Sequence, residues 1–340
     1  MNKKLIQPAR KLWHNWKRIA FTSQMLIHKK QQKAVTAPEY DPTLEDDVVL
    51  VSGQKDLPEI LKTVWIWWPN LNLPESVALM VNAIRASNPD HEITVLNQRT
   101  LSHWLPELNF TSSDLTLEHK SDVIRLELLY RYGGIWIDCN TLLFEDLSWV
   151  HRIHQEKPMD LIGYYREIST VNYLSPVIEN WFLAAAPQNP FIREWLKQLA
   201  PIKNLGAQNY FHEMKKRDDY PWIVQKIDDP LYQLSYLAQQ VAIKEYRKIN
   251  VFLRKCEANA FYYQSMQDRD NGALARMVMF NQRPQTPPPI IRLTGNEQLH
   301  LDFNLKLGFY NRTSIIGEMM QARTRQPTLA LASAVDKASA

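Results

Sequence analysis

The sequence predicts an α/β protein built around a mostly parallel sheet. Short runs of β-branched and aromatic residues alternate with longer segments of helical spacing, the pattern of strand–helix–strand units. With 340 residues, 45% hydrophobic and 22% charged, the chain has enough apolar mass for one main domain with appendages. Cys139 and Cys256 are its two cysteines and have no nearby His or Cys, which excludes a disulfide framework and a cysteine-based zinc site.

The elements follow in order. Residues 1–34 contain a basic amphipathic helix over 10–28, where Leu12, Trp13, Trp16, Ile19, Ala20, Leu26 and Ile27 share one face, with Arg10, Lys11, Lys17 and Arg18 opposite or at its edges. Such a face suits an anionic membrane surface, its own domain or a partner subunit. Residues 35–56, with Pro38, Pro42 and the acidic cluster Glu45–Asp47, read as a linker. The main domain is expected over 57–320, and 321–340, rich in Ala, Ser and Thr, as a loose tail. Thr63–Trp68 is a strand closed by Pro69, and Pro74 opens a helix over Glu75–Ser87. Glu92–Leu96 is a second strand. Leu117–Tyr132 is a helix that stops at Gly133, a residue suited to a left-handed cap. Ile135–Asp138 is a strand and Thr141–Phe144 extended chain, followed by a strand over Leu161–Tyr165 and a helix over Pro190–Leu199. Ligands of such sheets bind at the carboxyl ends of the strands, here Trp67–Asn70 and Asp138–Asn140.

Charge narrows the function. The first 38 residues hold nine Lys and Arg and no Asp or Glu, and the rest of the chain is mildly acidic. A nucleic-acid groove would need basic residues spread over the folded body, so nucleic acid is not an expected partner. Apolar runs are too short to span a bilayer, and no secretory signal is expected at the N-terminus. The expected location is cytoplasmic, peripheral on the inner face of the membrane.

Chemistry concentrates in Lys120–Phe144. Asp122 and Arg125 are three apart on a helix and project to one side. Gly133–Gly134 reverses the chain into a short buried strand that ends at Asp138, followed by Cys139 and Asn140. A carboxylate there needs a partner: Arg125, backbone amides or a divalent cation. Asp138 and Asn140, one residue apart in a turn, could share a hard cation such as Mn²⁺ or Mg²⁺, or simply cap backbone amides.

The run Ser121-Asp122-Val123-Ile124-Arg125, then Tyr132-Gly133-Gly134-Ile135-Trp136-Ile137-Asp138, resembles the donor-binding segment of glycosyltransferase family 32 and of the related capsular polysaccharide synthesis proteins. Weaker likeness extends over about 60–316, through TVWIWWP, NPDHEITVLN, SPVIENWF and PPPIIRLTG. The resemblance implies a GT-A fold, a nucleotide-diphosphate sugar donor, a growing capsular or surface glycan (lipid-linked or free) as acceptor, and transfer with retention. It implies that Asp122 and Arg125 bind the donor sugar, that Asp138 faces ribose and a metal–diphosphate centre, and that Trp65 or Trp67 stacks on the base. Asp138 and Arg125 are then the catalytic candidates. Asn140 stands where the family's second Asp would be, which weakens a metal site made of Asp138, Asn140 and a late histidine, His300. Glu179 and Asn180 are acceptor-side candidates, or else the start of a helix. The alternatives are a non-catalytic glycan-assembly subunit and a membrane-surface adaptor.

Overall fold

A computed structural model gives the fold and describes residues 35–266 and 272–325; the amphipathic segment 10–28 lies outside them. The strands are β1 (Val48–Val51), β2 (Thr63–Trp67), β3 (Glu92–Leu96), β4 (Gly134–Ile137), β5 (Thr141–Leu143), β6 (Leu161–Tyr165), β7 (Ile178–Ala185), β8 (Asn250–Lys255) and β9 (Ile290–Arg292). Seven of them form one sheet in the order β1-β8-β6-β7-β4-β2-β3, while β5 and β9 form a separate ribbon. Within the large sheet β2, β3, β4, β6 and β8 point one way, and β1 and β7 run against them. The sheet is therefore mostly parallel, as the alternation of strands and helices predicts.

Helices cover both faces. On one side α1 (Glu75–Ser87) packs Val77, Val81 and Ile84 against Val64, Ile66, Ile135 and Ile137. After α2 (Gln98–Trp104), α3 (Leu117–Tyr132) covers the other side, where Val123, Leu126 and Leu129 meet Trp65 and Trp136. Because β2 and β4 are central and covered on both faces, they read as unbroken apolar runs. Fully burying one such side chain contributes roughly 1.5–3 kcal/mol. A third cluster joins Leu142 and Ile291 of the β5–β9 ribbon to Leu301, Leu305, Ile315 and Ile316, and so anchors the ribbon to the body.

Several expectations are corrected. Residues 35–56 are no linker: β1 pairs with β8 over Val48–Val51, and the Ala37 amide donates to the Gln282 carbonyl at 2.9 Å. Alternating half-buried and exposed residues suit an edge strand, and four residues are too few to show that period in sequence. The closing helix runs over Ile315–Arg325, so the start of the expected tail is ordered chain. The segment around Glu179 is strand β7, an antiparallel insertion between β4 and β6 that is apolar on both faces. His154, on the helix Ser148–Glu156, is buried; its ring bonds the Pro58 carbonyl at 2.9 Å and the Met159 amide at 3.2 Å. No helix among the described residues is long and apolar enough to cross a membrane.

Candidate active site

The site begins with the turn between α3 and β4. Thr116 caps the start of α3 by accepting from the His119 amide at 3.3 Å, and His119 Nδ1 accepts in return from the Thr116 amide. Gly133 and Gly134 both have positive φ, 64° and 95°, which side chains with a Cβ rarely adopt. The pair lets the chain turn from α3 directly into the middle of the sheet. Asp138 then emerges at the carboxyl end of β4.

Side chains from α3, β4 and β7 and the residues that follow β4 close a charged network there. Arg125 is buried and donates through Nη1 to the Asn180 carbonyl at 2.7 Å, and through Nη2 to Ser121 Oγ at 3.1 Å. The same Nη2 lies 3.3 Å from Asp122 Oδ1 and 3.3 Å from Asp138 Oδ1. Its guanidinium sits 5.1 Å from the centre of the Trp136 ring. Trp136 Nε1 donates to Asp138 Oδ1 at 2.8 Å, and Asn180 Nδ2 donates to Asp122 Oδ1 at 2.9 Å. Burial pushes the Asp122 carboxyl up to about 7, against the pull of Arg125 and with a further push from Asp138.

The register of β6 against β7 shifts between Gly163 and Tyr164. Such irregularities re-aim side chains beside active sites, and this one lies next to Asn180. Glu179, its neighbour, is buried and accepts the Tyr236 hydroxyl at 2.6 Å; burial raises its carboxyl and Arg166 opposes that rise. It is thus held by a core tyrosine, while Asn180 enters the network.

The two tryptophans separate. Trp65 is 1% exposed, donates to the Gly133 carbonyl at 2.8 Å and packs edge-on against Trp104 at 4.9 Å. It is a core residue with no face for a nucleotide. Trp67, at the carboxyl end of β2, is the one of the pair nearer the site's edge of the sheet.

The residue that sequence reasoning passed over is Arg292. Its Nη2 donates to Asp138 Oδ2 at 2.8 Å. It ends β9, which pairs with β5 so that Arg292 faces Thr141. The available signal was a charge directly after the apolar pair Ile290–Ile291, the same pattern that singled out Asp138.

Asp138 and Asn140, two of the three expected cation ligands, are engaged elsewhere. Both Asp138 oxygens meet guanidinium groups. Asn140 is buried and donates through Nδ2 to the Leu293 carbonyl at 2.7 Å, tying the turn to β9. His300 lies on the helix Gly295–Lys306, and its carbonyl accepts from Asn304. Among the described residues no group of three His, Cys, Asp or Glu could hold a metal ion. A hard-cation site needs surplus anionic oxygen, and here both Asp138 oxygens already meet guanidinium groups while burial disfavours the charged form of Asp122. These donors do not fit Mn²⁺ or Mg²⁺. Cys139 is shielded, its thiol pushed up to about 12 by burial and then by Asp138, so it packs as a small apolar residue and is no nucleophile.

A family model described as capsular polysaccharide synthesis protein matches residues 17–271, which takes in the whole Lys120–Phe144 segment. The chain belongs to that family. Among curated relatives, the O-glycosyltransferase braB of Annulohypoxylon truncatum is 32% identical over 191 residues, 49% of this chain and 44% of that protein. The inositol phosphoceramide mannosyltransferase 1 of Schizosaccharomyces pombe is 23% identical over 184 residues, 49% of this chain and 50% of that protein. The chain thus spans about half the length of the curated relatives it matches. Among solved structures, an active-site mutant of LgtC aligns with a TM-score of 0.36 at 11% identity, covering 68% of this chain and 87% of that one.

Proposed function

We propose that the protein is a GT-A-type glycosyltransferase that moves a sugar from a nucleoside-diphosphate donor to a growing capsular or surface glycan, with retention at the anomeric carbon. One observation carries the reading: Asp122, Arg125, Asp138 and Asn180 converge at the carboxyl end of a central parallel strand. Family membership and the glycosyltransferase names of its relatives support it. In this reading Asp122 and Asn180 bind sugar hydroxyls. Arg125, locked by its partners, holds Asp122 and Asp138 in register, so the sugar is oriented before reaction. Trp67 flanks the base. Glu179 supports the site from the core. Because the donor set around Asp138 and Asn140 does not fit a divalent cation, no step is assigned to one. The basic segment 1–34 would dock the protein on an anionic membrane, where a lipid-linked acceptor is concentrated.

The test is a thermal-shift screen of nucleotide sugars on the full chain, with hydrolysis of the best donor as the second readout. A donor at 100 times its Kd should add about 2.7 kcal/mol of stability. Asp122→Ala should remove at least ~100-fold of transfer, equivalent to about 2.7 kcal/mol on the barrier. Binding without hydrolysis or transfer would instead identify a non-catalytic glycan-assembly subunit.

A further inference from the structure

Arg292 has the placement of a ligand-binding cation rather than of a structural one. Its backbone is clamped on both sides: the amide donates to the Ala260 carbonyl at 3.0 Å, and its carbonyl accepts from Gln264 Nε2 at 2.7 Å. The next residue is clamped as well, since the Leu293 amide donates to the Asn140 carbonyl at 2.9 Å and the Asn140 side chain returns to Leu293. The base of the side chain is therefore fixed, and its tip is held on two sides, Nη2 by Asp138 Oδ2 and Nη1 by the Leu293 carbonyl. Yet Arg292 and Asp138 side chains are each 18% exposed, against 4% for Arg125 and 9% for Asp122. Among the charged groups of the network, this pair lies on its open side. Arg292 Nε is enclosed and has no hydrogen-bond partner among the described residues.

We propose that Arg292 binds the donor's diphosphate and stabilises the departing diphosphate, the task a divalent cation would otherwise perform, with Asp138 as its positioning residue. The proposal rests on the glycosyltransferase reading. In the transfer, the bond between the anomeric carbon and the phosphate oxygen breaks and its electron pair stays on that oxygen. The acceptor hydroxyl oxygen bonds to the anomeric carbon, and its proton passes to the same phosphate oxygen. Negative charge thus develops at one oxygen, and a planar guanidinium fork suits a phosphate there better than a point charge does. A divalent cation placed beside Arg125 and Arg292 would be repelled by both.

The experiment measures binding of UDP, GDP, ADP and CDP, and of the matching monophosphates, to the full chain by calorimetry in EDTA. One diphosphate should bind at least ~10-fold tighter than its monophosphate, a difference of about 1.4 kcal/mol. Arg292→Ala should erase that preference and leave monophosphate binding unchanged, and Arg292→Lys should recover part of it. The lysine variant carries the test if the alanine variant fails to fold. Equal diphosphate binding by wild type and both variants overturns the inference and leaves the glycosyltransferase reading standing, as does diphosphate binding that requires added Mn²⁺ or Mg²⁺. If no nucleotide binds wild type with or without Mn²⁺, the glycosyltransferase reading itself falls, and the inference with it.

Discussion

Asp122 shows how one residue's surroundings set its chemistry. Its carboxyl is nearly enclosed, and burial outweighs Arg125 to push it up to about 7. The ordinary value is about 3.9. The sign of the linkage follows. Below pH ~4 the carboxyl is neutral in both states and contributes no difference. As pH rises to 7 the unfolded chain ionises freely and the folded protein does not, so folding loses stability across that window. Asp122→Asn abolishes this loss, so its melting temperature should gain on wild type steadily between pH 5 and 7. A difference between the two proteins that does not change with pH would mean that Asp122 ionises normally in the fold. At the same scale, Asn140 looks like a metal ligand in sequence and is a clamp in the structure, because its amide nitrogen has found the Leu293 carbonyl.

At the scale of elements, the reversal at Gly133–Gly134 decides where the site sits. A Cβ on Gly134 would lie 2.4 Å from the Thr63 carbonyl oxygen, at φ 95°. A Cβ on Gly133 would lie 2.5 Å from the Pro187 nitrogen. Backbone strain alone costs about 1–3 kcal/mol, and the clash with Thr63 adds to it. Gly134→Ala should therefore lower the urea midpoint and the melting temperature clearly, and should weaken transfer by displacing Asp138. Gly295→Ala is the control, since its added Cβ meets nothing within 4 Å and its stability should be unchanged. Equal stability of the two variants would show that β4 tolerates a shift away from β2. The turn is legible in sequence because it is local: a helix with capping signals, two glycines and an apolar strand follow one another directly. Strand β7 is not, because an apolar strand buried on both faces has no period of two to read.

At the scale of the whole molecule, the fold and the basic N-terminal segment divide the work. Nine basic residues precede the first acidic one, and each adds about 1 kcal/mol at an anionic surface at low salt. The full chain should pellet with anionic liposomes at low salt, release at high salt, and lose both behaviours when residues 1–34 are deleted. The shortened protein should keep its melting temperature, because β1 and its pairing with β8 begin after the deletion. Deletion through residue 56 should destabilise the sheet and expose the β8 edge to aggregation. Retention of the full chain in the supernatant at low salt would point the helix expected from the sequence of 10–28 to its own domain or to a partner.

Sequence alone determined the α/β class, the helix–glycine–strand reversal and the placing of Asp122 and Arg125 on one side of a helix, and it named Arg125 as one of three partners open to Asp138. The class follows from alternation along the whole chain, and the other two depend on spacing within one short segment, where helix pitch and turn geometry leave little freedom. The tertiary structure decided what those residues meet. It brought Arg292 to Asp138 through the β5–β9 pairing, aimed Asn180 at Asp122 beside a register shift, buried Trp65 and turned Asn140 toward Leu293. It also drew the supposed linker into the sheet as β1. The physical reason is that strand partners are chosen by long-range packing of apolar faces. A strand's own residues state that it will be buried, but not which distant segment will lie beside it.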